Sequence, residues 1–447
     1  MDPLSHSCKV SSLSIFYRYF FHRCFDELVS CILPLLLRPA SPISWLVLVL
    51  AVGGTSSAIG PELLSLGPVC DGRQTLVHLF EWRWEDIANE CETFLAPYGY
   101  CAVQISPPQE HRIVDGRPWH QRYQPISYLL ESRSGNRSEF EDMVSRCNAV
   151  GVRIIVDAVI NHMAEQHTEG YGSANSHYVA DNYDFPPYNG ASYFTDVFMC
   201  PSPSGVVTDY QNLNDIRDCR YLGLLDLYTS EVPVQETISL YLNQLLDIGV
   251  AGFRIDSASY IWPEDLEFIY AKVNNLSIAA GFPEATRPFI FHDVIAPGTA
   301  VKPSDYYNLG GVTETQYGRK AASGVGNFSL LETMYEPSHQ MIPPENAVVY
   351  TDSHLSQRSS SIPAGEILTY ADRITYQMGN AFMLADSYGI VRIMSSYEFS
   401  NVNQGPPTTP DNSTLPVNIG VDGLCEGGWV CEHRWAPIAN MVNLSLL

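Results

Sequence analysis

Two short segments carry residue types and spacings that can do chemistry. One is Asp157-Ala-Val-Ile-Asn161-His162, the other Gly252-Phe-Arg254-Ile-Asp256. Each closes an apolar run that reads as a strand. Side chains two apart in a strand share a face, so Arg254 and Asp256 point the same way. An arginine beside a carboxylate favours the ionised form, the state a nucleophile requires. The same two residues also describe a purely structural Arg–Asp pair, and by themselves they leave both readings open.

The elements that would hold these residues recur along the chain. Thr75–Phe80, Cys101–Ile105, Val152–Val159, Val250–Ile255, Pro288–Phe291, Ala347–Tyr350 and Tyr388–Met394 are short apolar runs. Continuous β-branched runs imply strands buried on both faces, and helix-period stretches between them imply a parallel sheet. A helix is predicted from about Glu85, and another near Ser138–Val150 with Ser138 as its N-cap. About 310 residues of such units point to an α/β fold, a (β/α)8 TIM barrel with catalytic residues at strand C-termini. Met163 to Asp226 breaks the rhythm: it is polar, rich in Tyr, Gly, Ser, Asn and Pro, and far longer than an ordinary loop. The expected organisation is a barrel over 59–162 and 227–447, with a small domain, 163–226, inserted after the third strand.

Composition narrows the partners. Of 447 residues 45% are hydrophobic and 11% aromatic, which suits a packed globule and excludes low-complexity disorder. With 25 Lys+Arg against 49 Asp+Glu, the net charge of -24 argues against nucleic acid or an anionic membrane surface as the main partner. A neutral ligand or a bound cation is the easier expectation. In residues 1–58, the apolar runs Cys31–Leu37 and Trp45–Val52 flank Arg38, and small residues Gly53–Ala58 follow. That order describes a cleaved secretory signal, or an uncleaved anchor over roughly 31–53, long enough for the ~20 residues a bilayer needs. Membrane association is expected only if this leader is retained. The cysteines after Ala58 contain no CxxC pair, and Asn136, Asn275, Asn327, Asn412 and Asn443 each begin an N-x-S/T sequon. Both features suit an oxidising, extracellular compartment.

Six ordered motifs then resemble the animal α-amylases of glycoside hydrolase family thirteen: Val77–Ala88, Arg117–Pro125, DAVINH, Arg217–Leu227, GFRID and Trp429–Trp435. The similarity spans roughly residues 65–442. It implies an amylase barrel with an inserted calcium-binding domain, acting as a secreted monomer on internal α-1,4 bonds of starch or glycogen with retention. By this resemblance Asp256 is the nucleophile and Arg254 its electrostatic neighbour. His162 and His354 bind the sugar at the cleavage point, Gln124 also contacts substrate, and Trp119 and Tyr123 form an aromatic platform under the glucose rings. Asn161, Asp226 and the carbonyls of Arg217 and Tyr260 match calcium ligands, an all-oxygen set suited to a hard cation. Arg254 and Arg392 match chloride-binding positions. The implied disulfides are Cys91–Cys147, Cys200–Cys219 and Cys425–Cys431; Cys70 and Cys101 are left over, either free or bonded to each other.

The departures from the family are concentrated in one pocket. Asp293 stands where the family has a glutamate acid/base. One methylene fewer retracts the carboxyl by roughly 1.5 Å, about a bond length. That draws the pair from the ~5–5.5 Å spacing of retaining enzymes toward the ~6.5 Å limit of inverting ones. Leu355 occupies the position of the third catalytic carboxylate, Ser353 replaces a chloride-site asparagine, Ser259 and Tyr260 replace a substrate-contacting Lys-His pair, and His120 replaces a second platform tryptophan. These changes admit an alternative: a catalytically impaired pseudoenzyme that binds α-glucans or a protein partner. The family's C-terminal β-sandwich is expected to be missing, since the sequence stops at Leu447, soon after a final helix predicted at Cys431–Leu444.

Overall fold

The computed structural model describes residues 67–444 except 71, 296, 297 and 364. The predicted leader, residues 1–58, lies outside the described residues. Eight parallel strands close into a barrel in the order β1-β14-β13-β12-β11-β10-β3-β2. They are β1 (Leu76–Leu79), β2 (Ala102–Ile105), β3 (Arg153–Ala158), β10 (Gly252–Ile255), β11 (Phe289–His292), β12 (Gly311–Glu314), β13 (Ala347–Val349) and β14 (Ile390–Ser395). β1, β2, β3, β10, β11 and β13 are buried at every position, as a barrel layered between its own interior and an outer ring of helices requires.

Between β3 and β10 the chain makes an excursion. β4 (His162–Glu165) pairs antiparallel with β9 (Leu224–Asp226), and β5 (Glu169–Tyr171), β6 (His177–Val179), β7 (Asp184–Phe185) and β8 (Tyr188–Asn189) form a small antiparallel sheet. The β4–β9 ladder sets His162 opposite Asp226, tying the start of the excursion to its end.

β12 is a strand that hydrophobic periodicity does not reveal, because Gly-Val-Thr-Glu has a single large apolar residue. Its polar side chains are buried in satisfied positions. Glu314 accepts hydrogen bonds from the backbone of Gln316 at 2.7 Å and Ile342 at 2.8 Å. The helix Arg137–Ala149 is capped by Asn136, not Ser138: Asn136 accepts from the Glu139 amide while Glu139 accepts from the Asn136 amide. This reciprocal capping box satisfies two otherwise orphaned donors, which Ser138, already inside the first turn, cannot do. The predicted final helix is broken. A 3-10 turn covers Glu432–Arg434, Trp435 is extended, and the helix proper is Ala436–Leu444.

Gly252 is required where it stands, since a Cβ there would lie 2.0 Å from the Phe289 carbonyl oxygen. Removing that close approach would separate β10 from β11, the two strands that carry the acidic residues described below. The disulfides are Cys70–Cys101, Cys91–Cys147, Cys200–Cys219 and Cys425–Cys431. The first resolves the two unassigned cysteines as partners. Among the described residues, no helix is long and apolar enough to cross a membrane.

Candidate active site

Parallel register assembles the site. β3 and β10 pair with Arg254 beside Asp157, and β10 and β11 pair with Ile255 beside His292, so Asp256 and Asp293 emerge next to each other at adjacent strand ends. The Arg254 guanidinium is buried among all three acids. Its Nη1 contacts Asp157 and also Asp256 Oδ1 at 3.0 Å, and its Nη2 lies 2.6 Å from Asp293 Oδ2. The Ser257 hydroxyl donates to the other oxygen of Asp256 at 2.9 Å.

One guanidinium cannot neutralise three buried carboxylates. Burial opposes the charge on Arg254, yet the three acids outweigh it and raise its pKa, so it stays protonated. Burial pushes the Asp157 carboxyl up to about 6, against the pull of Arg254 and with repulsion from Asp256. Asp293 is raised by burial too, again opposed by Arg254 and reinforced by Asp256. Burial thus raises two of the three carboxyls against the pull of the one guanidinium they share.

The predicted substrate residues line one cleft of about 480 Å³ above this cluster, among them Trp119, Tyr123, Gln124, His162 and His354. The Tyr123 hydroxyl donates to Asp157 Oδ2 at 2.8 Å and sits 3.2 Å from His354 Nε2. With that proton committed to Asp157, His354 Nε2–H donates to the phenol. The His354 ring stacks on Tyr123 at 5.6 Å and 10°, and meets Trp119 edge-on at 5.4 Å. His162 donates from Nε2 to the Tyr123 carbonyl at 2.9 Å. Burial lowers the pKa of both histidines, so both are neutral hydrogen-bonding groups. Trp119 is fixed by a 2.9 Å bond from its indole N–H to the Val402 carbonyl. Gln124 accepts from Arg112 at 3.0 Å and so presents its amide to the cleft in one orientation.

Leu355 lies in this lining at 37% exposure, beside Ile295 at 39%. The cleft is therefore apolar on the side that Leu355 and Ile295 line. Arg392 is buried and donates to Gln104 Oε1 at 2.9 Å over the Tyr350 ring. No carboxylate pairs with it among the described residues, and burial lowers its pKa.

Asn161 and Asp226 meet through the β4–β9 junction, where the Leu227 amide donates to the Asn161 carbonyl at 2.9 Å. Asp226 is 4% exposed, accepts from the Thr195 hydroxyl at 2.7 Å, and forms no ion pair among the described residues. Burial drives its pKa well up. A desolvated carboxylate without a protein cation fits a hard metal ion. Arg217, in the helix Leu213–Asp218, and Tyr260, in the 3-10 turn Ala258–Tyr260, lie on elements packed against each other. Among the described residues no three His, Cys, Asp or Glu could together hold a metal, so a cation here would need oxygen ligands besides carboxylates.

Asp157 heads one of the two chemistry-bearing segments, but strand reading gives it no role of its own. Its signal is present: a carboxylate inside a buried apolar strand, whose cost demands a cation on the neighbouring strand. Tyr221 and Leu222 also line the cleft, from within the Arg217–Leu227 motif, though sequence reading singles out neither as a site residue.

An eight-stranded parallel barrel that gathers carboxylates and an arginine at its strand ends, beneath an aromatic cleft, has the architecture of a barrel glycosidase. The α-amylase catalytic-domain family matches residues 93–287. An α-amylase of Oryzias latipes is 45% identical over 83% of this chain and 76% of its own length. The pancreatic α-amylase of Rattus norvegicus is 44% identical, with 83% and 76% covered. The crystal structure of α-amylase I from Eisenia fetida superposes with a TM-score of 0.80 at 38% identity, covering 85% of this chain and 79% of that one. A variant of the same earthworm enzyme, solved with maltohexaose, superposes equally well. The chain belongs to the α-amylase family, among the animal α-amylases.

Proposed function

We propose that this protein is a secreted, calcium-dependent, retaining endo-hydrolase of α-1,4-glucans whose turnover is slowed by its altered carboxylates. Asp256 attacks the anomeric carbon as the glycosidic oxygen departs, and Asp293 gives that oxygen its proton. Water then releases the sugar from Asp256, delivering its proton back to Asp293. The observation that carries this reading is the Arg254 fork, which contacts both carboxylates and so holds them as near neighbours. Neighbouring carboxyls of this kind suit a retaining pair, whose two groups stand ~5–5.5 Å apart. Burial, which raises the Asp293 carboxyl, supports Asp293 as acid. Asn161, Asp226 and the carbonyls of Arg217 and Tyr260 would hold calcium, which when bound supplies charge that braces the excursion against the barrel. Arg254 and Arg392 would hold chloride, the latter lacking a carboxylate partner among the described residues.

A second reading, a glucan-binding protein without turnover, is favoured by Leu355, which supplies neither charge nor hydrogen bond where the oxocarbenium develops. Loss of one such preorganised group costs ~10²–10³ in rate. Reducing-sugar release from soluble starch by the calcium-loaded chain, with the product anomer followed by proton NMR, separates the readings. Slow release of the α-anomer supports hydrolysis with retention. Maltoheptaose binding with no release establishes the second reading, and absence of binding contradicts both.

A further inference from the structure

Arg358 ends the 3-10 turn Ser356–Arg358, close after His354, and is 8% exposed. It lies outside the cleft lining. Its guanidinium carbon sits over four aromatic rings, 4.1 Å from the centroid of Phe399, 5.1 Å from Tyr397, 5.2 Å from Phe80 and 5.8 Å from Trp119. All four fall within the ~6 Å reach of a cation–π contact. Nη1 donates to the His354 carbonyl at 3.0 Å, while Nε and Nη2 are buried with no hydrogen-bond acceptor among the described residues.

A cation so placed does little for the stability of the fold. Burial strips its hydration, and ring faces return less than a paired carboxylate, so an apolar side chain of similar length would pack there at little cost. What the cation does reach is the back of the cleft. Phe80 stacks on the His354 ring at 5.0 Å and 29°, and His354 stacks in turn on Tyr123. Phe80 also meets Trp119 edge-on at 6.0 Å and lies parallel to Tyr397 at 5.7 Å and 7°. Arg358 therefore contacts this stack twice, at the Trp119 ring directly and at His354 through its carbonyl.

We infer that Arg358 is a positioning residue of the cleft: its cation gathers the Phe80, Trp119, Tyr397 and Phe399 rings about one centre and so fixes Trp119 and His354 in the geometry that meets a sugar. A surface ordered in advance loses less freedom when its ligand arrives, so affinity rises without any new contact. This rests on the glucan reading above and adds to it the group, set behind the cleft, that keeps the binding surface rigid.

Calcium-loaded full-length protein carrying Arg358→Met or Arg358→Lys, titrated calorimetrically with maltoheptaose and melted in parallel, tests the inference. Arg358→Met keeps length and apolar bulk but removes the charge. It should weaken binding about five- to tenfold, the worth of a desolvated cation among rings, while its Tm stays at or above the parent's. Arg358→Lys returns a cation to the same rings and should bind within about threefold of the parent. Phe399→Leu strips away the nearest ring, serves if Arg358→Met misfolds, and should weaken binding about threefold. Equal affinity in the parent and Arg358→Met would overturn the inference and leave the glucan reading standing. A fall in Tm with unchanged affinity would do the same, since it marks a merely structural residue. If the parent binds no maltoheptaose, the glucan reading fails and the inference with it.

Discussion

Replacing Leu355 by aspartate and Asp293 by glutamate in one chain should raise hydrolysis of a chromogenic maltooligosaccharide by several orders of magnitude. Leu355 is more than a third exposed, so an aspartate there keeps water on one side and meets little desolvation cost. Its gain is the return of a preorganised group facing the developing positive charge, ~10²–10³ in kcat. Asp293 lies 2.6 Å from Arg254 Nη2, a contact that holds its short carboxyl on the guanidinium. A glutamate reaches roughly 1.5 Å further, about one bond length, and an error of about 1 Å can cost ~10²-fold. Independent effects would multiply to ~10⁴–10⁵, but both residues line one cleft, so the combined gain should fall below that product. The assay is kcat/KM for parent, both single variants and the double variant, with maltoheptaose affinity measured on each. A folded double variant that binds maltoheptaose yet stays within threefold of the parent would refute the lost-carboxylate reasoning.

Three further outcomes follow from the same structure. Glu432 is buried with its pKa raised to about 8 by desolvation and then by Asp352, so its stability contribution is present below the unfolded value and lost as pH rises through about 8. Relative to Glu432→Gln, the parent should therefore lose stability between pH ~4.5 and ~8, on the order of a few kcal/mol in chemical denaturation; parallel curves would contradict this. Cys70→Ser should lower stability by about 3–4 kcal/mol, the loop-closure value for the separation of 31 residues, seen as a drop in Tm. Excess calcium should raise the Tm of the chelated parent, by about 2.7 kcal/mol of stability at a hundredfold excess over Kd, and should do so far less for Asp226→Asn. Equal responses would remove Asp226 from the calcium site.

The parts legible in sequence are those where local pattern and tertiary demand agree. Continuous apolar runs locate β3 and β10, and strand parity alone sets Arg254 and Asp256 on one face. β12 escapes because Thr313 and Glu314 are buried through hydrogen bonds rather than apolar surface, which no periodicity records. Ser138 and Asn136 are both good capping residues; only the return bond from Glu139 distinguishes them. Asp157 and Arg254 are 97 residues apart, so their contact depends on register between β3 and β10. The stacking of Tyr221 on Tyr260, ring centroids 4.1 Å apart, depends likewise on how the excursion folds back.

The most direct test compares reducing-sugar release from soluble starch by the calcium-loaded parent and by Asp256→Asn, with maltoheptaose binding measured on both. The account predicts slow release by the parent, none above background from Asp256→Asn, and binding in each. Equal release from the two proteins would contradict the assignment of Asp256 as nucleophile and, with it, the proposed mechanism.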